Sequence, residues 1–311
     1  MILKKPKFWD YKRVSFWSVI FYPLSLIYLI LIFLKKNIST LKTYKKPPIP
    51  VICIGNIYLG GTGKTPVVRE IFKIIKSLDR KPAFIKKKYS YLDDEIKMLQ
   101  KTGETFVCTK RYTGISSLVD KNYNVAILDD GFQDYSIKPD LSILCFNSKQ
   151  LIGNGFLIPS GPLRERLNSV ARADCIIING EKNLEFENYL LKYSKKKKMH
   201  IFYSKYQINN LEKFKNKEIL AFAGIGNPSN FFDLLKENNL NLTQTLSFPD
   251  HHNYSEKDFN KINENKSLKI VTTEKDYYRM TEKQQAMCEY VKVNLEIENE
   301  KEFKNLIKSY L

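Results

Sequence analysis

The chain has 311 residues, 43% of them hydrophobic, which is more than one average domain needs and enough to build two cores. Its formal charge of +18 suits an anionic partner such as nucleic acid, an anionic membrane face or a phosphorylated substrate, although a solvated lysine-rich surface gives the same count. Cys53, Cys108, Cys145, Cys175 and Cys288 form no C-x-x-C pair, and three of them sit in apolar runs; this excludes a disulfide framework or zinc site of familiar spacing and points to a reducing compartment.

The N-terminus reads as a membrane segment. Residues 14–34 are 21 positions without a charge, and as a helix they span about 30 Å, near the hydrocarbon thickness of a bilayer. Lys4, Lys5, Lys7, Lys12 and Arg13 precede the segment, Lys35 and Lys36 follow it, and Trp9 and Trp17 stand at interfacial positions. Pro23 is expected to kink the helix. The segment either spans the bilayer or lies in one leaflet, and basic residues on both sides leave its topology open. A core helix is the alternative. Tyr44 to Pro50, with three prolines, reads as an extended linker.

Beyond the linker, apolar runs at 51–54, 83–85, 105–108, 125–128, 141–146 and 175–178 read as strands, with helices beginning at Lys64 and near Thr113 and Pro162. That alternation predicts an α/β fold with a parallel sheet covered on both faces. A polar stretch follows from Glu181, ending in the lysine run 195–198. A second alternation then begins, with strands at 219–223 and 270–273 and helices at 230–237, 255–263 and 301–310. The expected organisation is a membrane-associated helix and linker over 1–46, a larger α/β domain over 47–204, a connecting segment over 205–216 and a smaller α/β domain over 217–311.

The first strand runs into Gly55-Asn56-Ile57-Tyr58-Leu59-Gly60-Gly61-Thr62-Gly63-Lys64-Thr65-Pro66. Strand, glycine-rich loop and helix in this order cradle the phosphates of a nucleotide. The loop turns backbone N–H groups inward, the helix N-terminus adds positive potential, Lys64 reaches the outer phosphates and Thr65 offers a hydroxyl to Mg²⁺. The register departs from the consensus, which has glycine where this chain has Tyr58.

The strand at 125–128 ends in Asp129-Asp130-Gly131. In a parallel sheet that end faces the crevice of the phosphate loop, where a carboxylate holds the nucleotide's Mg²⁺; turn chemistry is the alternative. The run from Gly153 to Glu165 is expected to enter a helix at Pro162, whose N-terminus and Arg164 would take an anionic substrate group or merely cap an ordinary helix. Asp250-His251-His252 reads either as a proton-transfer or orienting group or as a surface loop. Thr273-Glu274-Lys275-Asp276 lacks the order of a guanine-reading loop and reads as a helix cap.

Six of these motifs, GNIYLGGTGKTP, LDDGFQD, GNGFLIPSGPLRE, AFAGIGNP, FPDHH and VTTEKD, stand in the order found in the tetraacyldisaccharide 4'-kinases (the lipid A 4'-kinases), which the chain resembles to about residue 280. The resemblance implies two α/β domains joined by a β-ribbon, a P-loop NTPase-like parallel sheet and an apolar membrane helix. It implies transfer of phosphate from MgATP to the 4'-hydroxyl of a tetraacylated disaccharide 1-phosphate, at the cytoplasmic face of a bacterial inner membrane. ATP and Mg²⁺ are then the cofactors and the lipid A precursor the partner, with no nucleic acid and no obligatory protein partner.

By resemblance, Gly60, Gly61, Thr62, Gly63, Lys64, Thr65 and Pro66 bind the nucleotide. Thr65, Asp129, Asp130, Gln133 and Glu95 surround the metal, and Asn154, Arg164 and Glu165 meet the substrate. Asp94 is the general base, with Lys64 on the phosphates and His251 supporting the base. The base segment reads Asp93-Asp94-Glu95-Ile96 where the family has Gly-Asp-Glu-Pro, which leaves Asp93 as the other candidate. Lys86-Lys87-Lys88-Tyr89-Ser90 stands for the family's Ser-Arg-Gly-Tyr-Gly, and Asp134 for a histidine. A membrane-tethered P-loop ATPase or GTPase, and a basic nucleic-acid binder, are the competing readings. Absence of a basic stripe interleaved with aromatics disfavours the second.

Overall fold

The computed structural model describes residues 5–41, 46–88, 93–194, 199–264 and 267–311. Lys4, the start of the linker at Tyr44, the motif residues Tyr89 and Ser90, and the lysine run 195–198 lie outside the described residues. Backbone contacts divide the chain into two compact units. One comprises Pro6–Lys88, Thr102–Lys205 and Glu296–Leu311, and the other Met1–Lys5, Tyr89–Lys101 and Tyr206–Leu295. The division departs from chain order at two places, since 89–101 groups with the later residues and 296–311 with the earlier ones.

The first unit is built on α1 (Phe16–Leu41), β1 (Val51–Gly55), α2 (Lys64–Lys76), β2 (Pro82–Lys87), β3 (Thr105–Cys108), α4 (Arg111–Asp120), β4 (Val125–Asp129), β5 (Leu141–Asn147), β6 (Cys175–Asn179), α5 (Leu184–Leu191), much of β7 (His200–Ile208) and α10 (Glu300–Lys308); α3 (Asp93–Gln100) belongs to the second unit. Strands β1, β4, β5 and β6 are buried along their whole length, as expected of parallel strands covered on both faces. The sheet order is β12-β7-β6-β5-β1-β4-β2-β3, where β12 is Val293–Ile297. Helix α2 buries Val67, Ile71, Ile74 and Ile75, a stripe at helical spacing. The C-terminal α10 closes this unit by seating the fully buried Phe303 edge-on against Phe202, with ring centroids 5.0 Å apart. That contact explains why 296–311 groups here.

Within the polar stretch after Glu181, Asn183 caps α5 by accepting a hydrogen bond from the Phe186 N–H. One sequence reading changes. No helix begins at Pro162; the first helical turn after it is the 3₁₀ segment Leu167–Arg172. The backbone there is committed elsewhere. The Leu59 N–H donates to the Pro162 carbonyl at 2.9 Å, the Arg164 N–H to the Ile57 carbonyl at 2.7 Å, and the Ile158–Pro159 bond is cis.

Helix α1 contains Pro23, and its span Phe16–Ile38 is long and apolar enough to cross a membrane, with little of it buried. The few buried positions are polar. The Ser25 hydroxyl donates to the Leu157 carbonyl and accepts from the Ser160 N–H, at 2.9 and 3.0 Å.

The second unit holds a four-stranded sheet of order β11-β10-β8-β9, with every described pair parallel. Its strands are β8 (Ile219–Ala223), β9 (Leu242–Ser247), β10 (Lys269–Thr273) and β11 (Glu289–Val291), and its helices α6 (Pro228–Glu237), α7 (Glu256–Ile262), α8 (Glu274–Tyr277) and α9 (Glu282–Gln285) join α3. Ser255 and Asp258 form a capping box at α7, and Thr273 caps α8 by accepting from the Asp276 N–H, as its sequence suggests.

Candidate active site

Strand β1 lies between β4 and β5, and its register sets Ile54 opposite Asp129. The glycine loop and the Asp129-Asp130 turn therefore leave the sheet at the same level. Gly60, Gly61 and Gly63 all have positive φ, and Gly63 takes the left-handed conformation immediately before Lys64 opens α2. Thr65 and Pro66 continue that first turn.

Two buried asparagines brace the loop. The Asn56 amide donates to the Tyr58 carbonyl at 2.5 Å and to the Thr62 hydroxyl at 2.9 Å. Asn179, at the end of β6, donates to the Thr62 carbonyl and accepts from the Ser204 hydroxyl. Sequence reasoning missed Asn179, whose signal is a polar residue ending an otherwise apolar strand. Tyr58, in place of the consensus glycine, is 1% exposed, packs with Leu157 and Leu163, and donates its hydroxyl to Asp10 at 2.6 Å. It ties the loop to the segment that leads into α1.

Asp130 has φ +53°, a strained value for a residue with a side chain. Its carboxylate lies 3.4 Å from Lys64 Nζ and accepts from Arg164 Nη1 at 2.7 Å. Burial pushes its pKa up, but Lys64 and Arg164 outweigh burial and hold it well below the usual carboxylate range. Asp129 is fully buried and paired to Lys86. Arg111 fastens the turn by donating to the Asp129 and Asp130 carbonyls at 3.3 and 2.8 Å and pairing with Asp134 at 2.9 Å. Arg111 is a further residue that the motifs did not single out, and Lys86 entered there only as a departure from the family pattern, with no role.

A divalent cation fits this turn. Asp129 Oδ1 and Gln133 Oε1 are buried oxygens with no hydrogen-bond partner among the described residues, while the Gln133 amide is anchored on the Asn56 carbonyl at 2.9 Å. Among the described residues no three His, Cys, Asp or Glu side chains converge as a metal cage. Mg²⁺ is commonly held by one or two protein oxygens together with phosphates and water, and Asp129 Oδ1 and Gln133 Oε1 are the buried oxygens left to serve as such ligands.

Asn154, Arg164 and Glu165 differ in availability. The Asn154 amide donates to the Phe8 and Ser160 carbonyls and the Ser18 hydroxyl, at 3.3, 2.9 and 3.0 Å, so it binds the N-terminal segment. Glu165 is buried and accepts from the Tyr135 hydroxyl and Arg172 at 2.8 and 2.6 Å. The Arg164 side chain is 22% exposed while its guanidinium bridges Asn56 and Asp130.

The second unit carries its own polar cluster. Asp94 is buried in the first turn of α3, whereas the neighbouring Asp93 is exposed. Arg279 Nε donates to Asp94 Oδ2 at 2.8 Å, its Nη2 lies in ion-pair contact with the same oxygen at 2.7 Å, and Nη1 donates to Asp276 and the Gly224 carbonyl. Asp94 Oδ1 has no hydrogen-bond partner among the described residues. His251 has φ +57° and brings Nδ1 to 3.8 Å from Asp94 Oδ2, while Lys275 approaches its Nε2 at 3.3 Å. Burial and then the Lys275 ammonium lower the His251 pKa, so the ring is neutral near pH 7. Glu95 pairs with Lys275 at 3.1 Å. The sequence offered Lys275 as part of a helix cap and of the VTTEKD motif, with no role of its own, and Arg279 carried no signal at all.

The five cysteines are free thiols in this structure. Burial pushes Cys53 and Cys145 up to about 12, which makes them packing groups and not nucleophiles.

A family profile described as "LpxK: Tetraacyldisaccharide-1-P 4'-kinase" matches residues 17–311. A tetraacyldisaccharide 4'-kinase of Pelagibacter ubique (strain HTCC1062) is 40% identical, the match covering 98% of this chain and 97% of the relative. One from Rickettsia akari (strain Hartford) is 32% identical over 96% of each chain. The crystal structure of LpxK from Aquifex aeolicus, described as an "apo" form in complex with ATP, superposes with a TM-score of 0.72 at 25% identity, covering 94% of this chain and 99% of that one. With its phosphate loop, its paired-aspartate turn and this agreement over nearly the whole length, the chain belongs to the tetraacyldisaccharide-1-P 4'-kinase family.

Proposed function

We propose that this chain transfers the γ-phosphoryl group of MgATP to the 4'-hydroxyl of a tetraacyldisaccharide 1-phosphate. The observation that carries the reading is the phosphate loop opening α2 with Lys64 beside the Asp129-Asp130 turn, in a chain of this family. Lys64 and the loop N–H groups bind and orient the phosphates. Asp129, Gln133 and Thr65 would hold Mg²⁺, whose charge would offset that of the phosphate oxygens. Asp130 holds Lys64 and Arg164 in place, and the anion-binding role expected of the 153–165 loop falls to Arg164. Asp94 accepts the sugar hydroxyl's proton at its unpartnered Oδ1, while Arg279 fixes the carboxylate through Oδ2. Neutral His251 supports Asp94, and Glu95 is proposed at the metal on the family pattern alone.

Helix α1 is proposed to attach the enzyme to the cytoplasmic face of the inner membrane. Its exposed apolar residues, such as Val19, Ile27, Ile30 and Leu31, match an acyl environment, and the acceptor is itself an amphiphile.

The test is transfer of ³²P from [γ-³²P]ATP to a tetraacyldisaccharide 1-phosphate in mixed micelles with Mg²⁺. Labelled lipid is expected, and Lys64→Ala is expected to cut turnover by ~10²-fold or more, as for loss of a charge-stabilising donor. Phosphate release without any labelled lipid would replace the kinase reading with that of a tethered NTPase.

A further inference from the structure

Lys86 ends in a place where the sequence gives no reason to expect a buried charge. It follows Ile85 in β2, and the β2–β4 register sets Ile85 opposite Leu128, so Lys86 comes level with Asp129. It is 2% exposed and donates to Asp129 Oδ2 at 2.5 Å. Lysine is among the residues least often buried, and it tolerates burial when its charge is paired.

The pairing leaves a particular charge balance. Around the turn, β4 and the residues after it contribute Asp129, Asp130 and Asp134. Lys64 from α2, Lys86 from β2, Arg111 from α4 and Arg164 from the 153–165 loop face them. Two adjacent carboxylates would attract a divalent cation if their charge were uncompensated. Here each is already matched, and the added charge of a metal ion would meet cations at close range. A triphosphate reverses that balance by bringing several negative charges to the loop. Meanwhile the bond to Oδ2 fixes the Asp129 carboxylate with Oδ1 free of any described partner.

We propose that Lys86 is a positioning residue that occupies one oxygen of Asp129 and makes divalent-cation binding conditional on nucleotide. The inference rests on the nucleotide-site reading above and adds an order to it, in which cation and triphosphate enter together.

The experiment uses the full-length enzyme and Mn²⁺ as the probe, with free Mn²⁺ measured by its electron paramagnetic resonance signal. Wild type is titrated without nucleotide and with a non-hydrolysable ATP analogue. Binding of the analogue alone is followed separately by calorimetry. Nucleotide-free wild type is expected to bind Mn²⁺ at least about 50-fold more weakly than the analogue complex. Lys86→Ser and Lys86→Gln, which remove the charge, are expected to tighten nucleotide-free binding by about tenfold or more, and Lys86→Arg to behave as wild type. Nucleotide-free wild type binding Mn²⁺ within about threefold of the analogue complex would overturn the proposal without recourse to any variant. So would folded Lys86→Ser and Lys86→Gln proteins that bind it no more tightly. Failure of the analogue itself to bind would instead overturn the nucleotide-site reading on which the proposal stands.

Discussion

Asp94→Asn removes a charge while keeping the shape of the side chain, and the structure separates its two consequences. Arg279 keeps Asp276 at 3.0 Å and the Gly224 carbonyl at 2.7 Å, and it can still donate to the amide oxygen. The loss is the difference between a charge-assisted and a neutral hydrogen bond, about 1–2 kcal/mol. Against a typical domain stability of roughly 5–15 kcal/mol, the variant stays folded. Chemistry suffers more, because a general base contributes typically ~10²–10⁴-fold and an amide cannot take the proton. Denaturant unfolding measures the first effect and ³²P transfer to the tetraacyldisaccharide 1-phosphate the second, with KM for MgATP expected within about twofold of wild type. Asp93→Asn is the control. Its side chain is exposed at the start of α3, so it should cost only the helix-terminus term of about 0.3–1 kcal/mol and leave turnover near wild type. Asp94→Asn with more than about a tenth of wild-type turnover would refute the assignment, as would Asp93→Asn being the crippled variant.

Restoring the consensus glycine at Tyr58 should harm this protein. Tyr58→Gly empties a buried aromatic site beside Leu157 and Leu163 and is expected to cost ~3–5 kcal/mol in denaturant unfolding; a neutral or stabilising result would deny the Tyr58 packing its role. His251 makes a pH prediction. Its folded pKa lies below the ordinary 6.5, so the folded state binds the proton less readily than the unfolded one. Its stability contribution is full above about pH 6.5 and is lost as pH falls from there through the lower folded value. The difference in unfolding free energy between wild type and His251→Gln should therefore shrink as pH falls from 7 to 5, and a difference that grows would contradict the assignment. On α1, Ile30→Glu with Leu31→Glu should abolish co-sedimentation with lipid vesicles, since burying each native side chain contributes roughly 1.5–3 kcal/mol and both are exposed in the protein. Undiminished sedimentation would remove α1 as the anchor.

Local pattern made much of the architecture legible. Apolar runs of strand length, separated by glycine loops and helical stripes, imply a parallel sheet, and β1, β3, β4, β5, β6, β8 and β10 stand within a residue or two of where such runs place them. Strands with mixed burial, such as β9 and β11, gave no comparable contrast. The helix anticipated at Pro162 failed because proline at a first turn is only a permission. The flanking backbone found partners at Ile57 and Leu59, distant in sequence, and those bonds are incompatible with a helix.

The phosphate loop is a property of consecutive residues, because glycines, a lysine and a helix start act within one turn of chain. The sequence therefore determined Lys64, Thr65 and the Asp129-Asp130 turn as candidates. Which neighbouring charges would be buried is a property of distant chain segments meeting. Asp93 and Asp94 look alike in sequence, and only packing turns Asp94 inward with Met98 one helical turn away and seats Arg279 on it. Lys86 is the first of three consecutive lysines with no role legible in the sequence until the sheet register brings it to Asp129. Burial cost and ion pairing depend on what lies across the gap, and that is decided by tertiary structure alone.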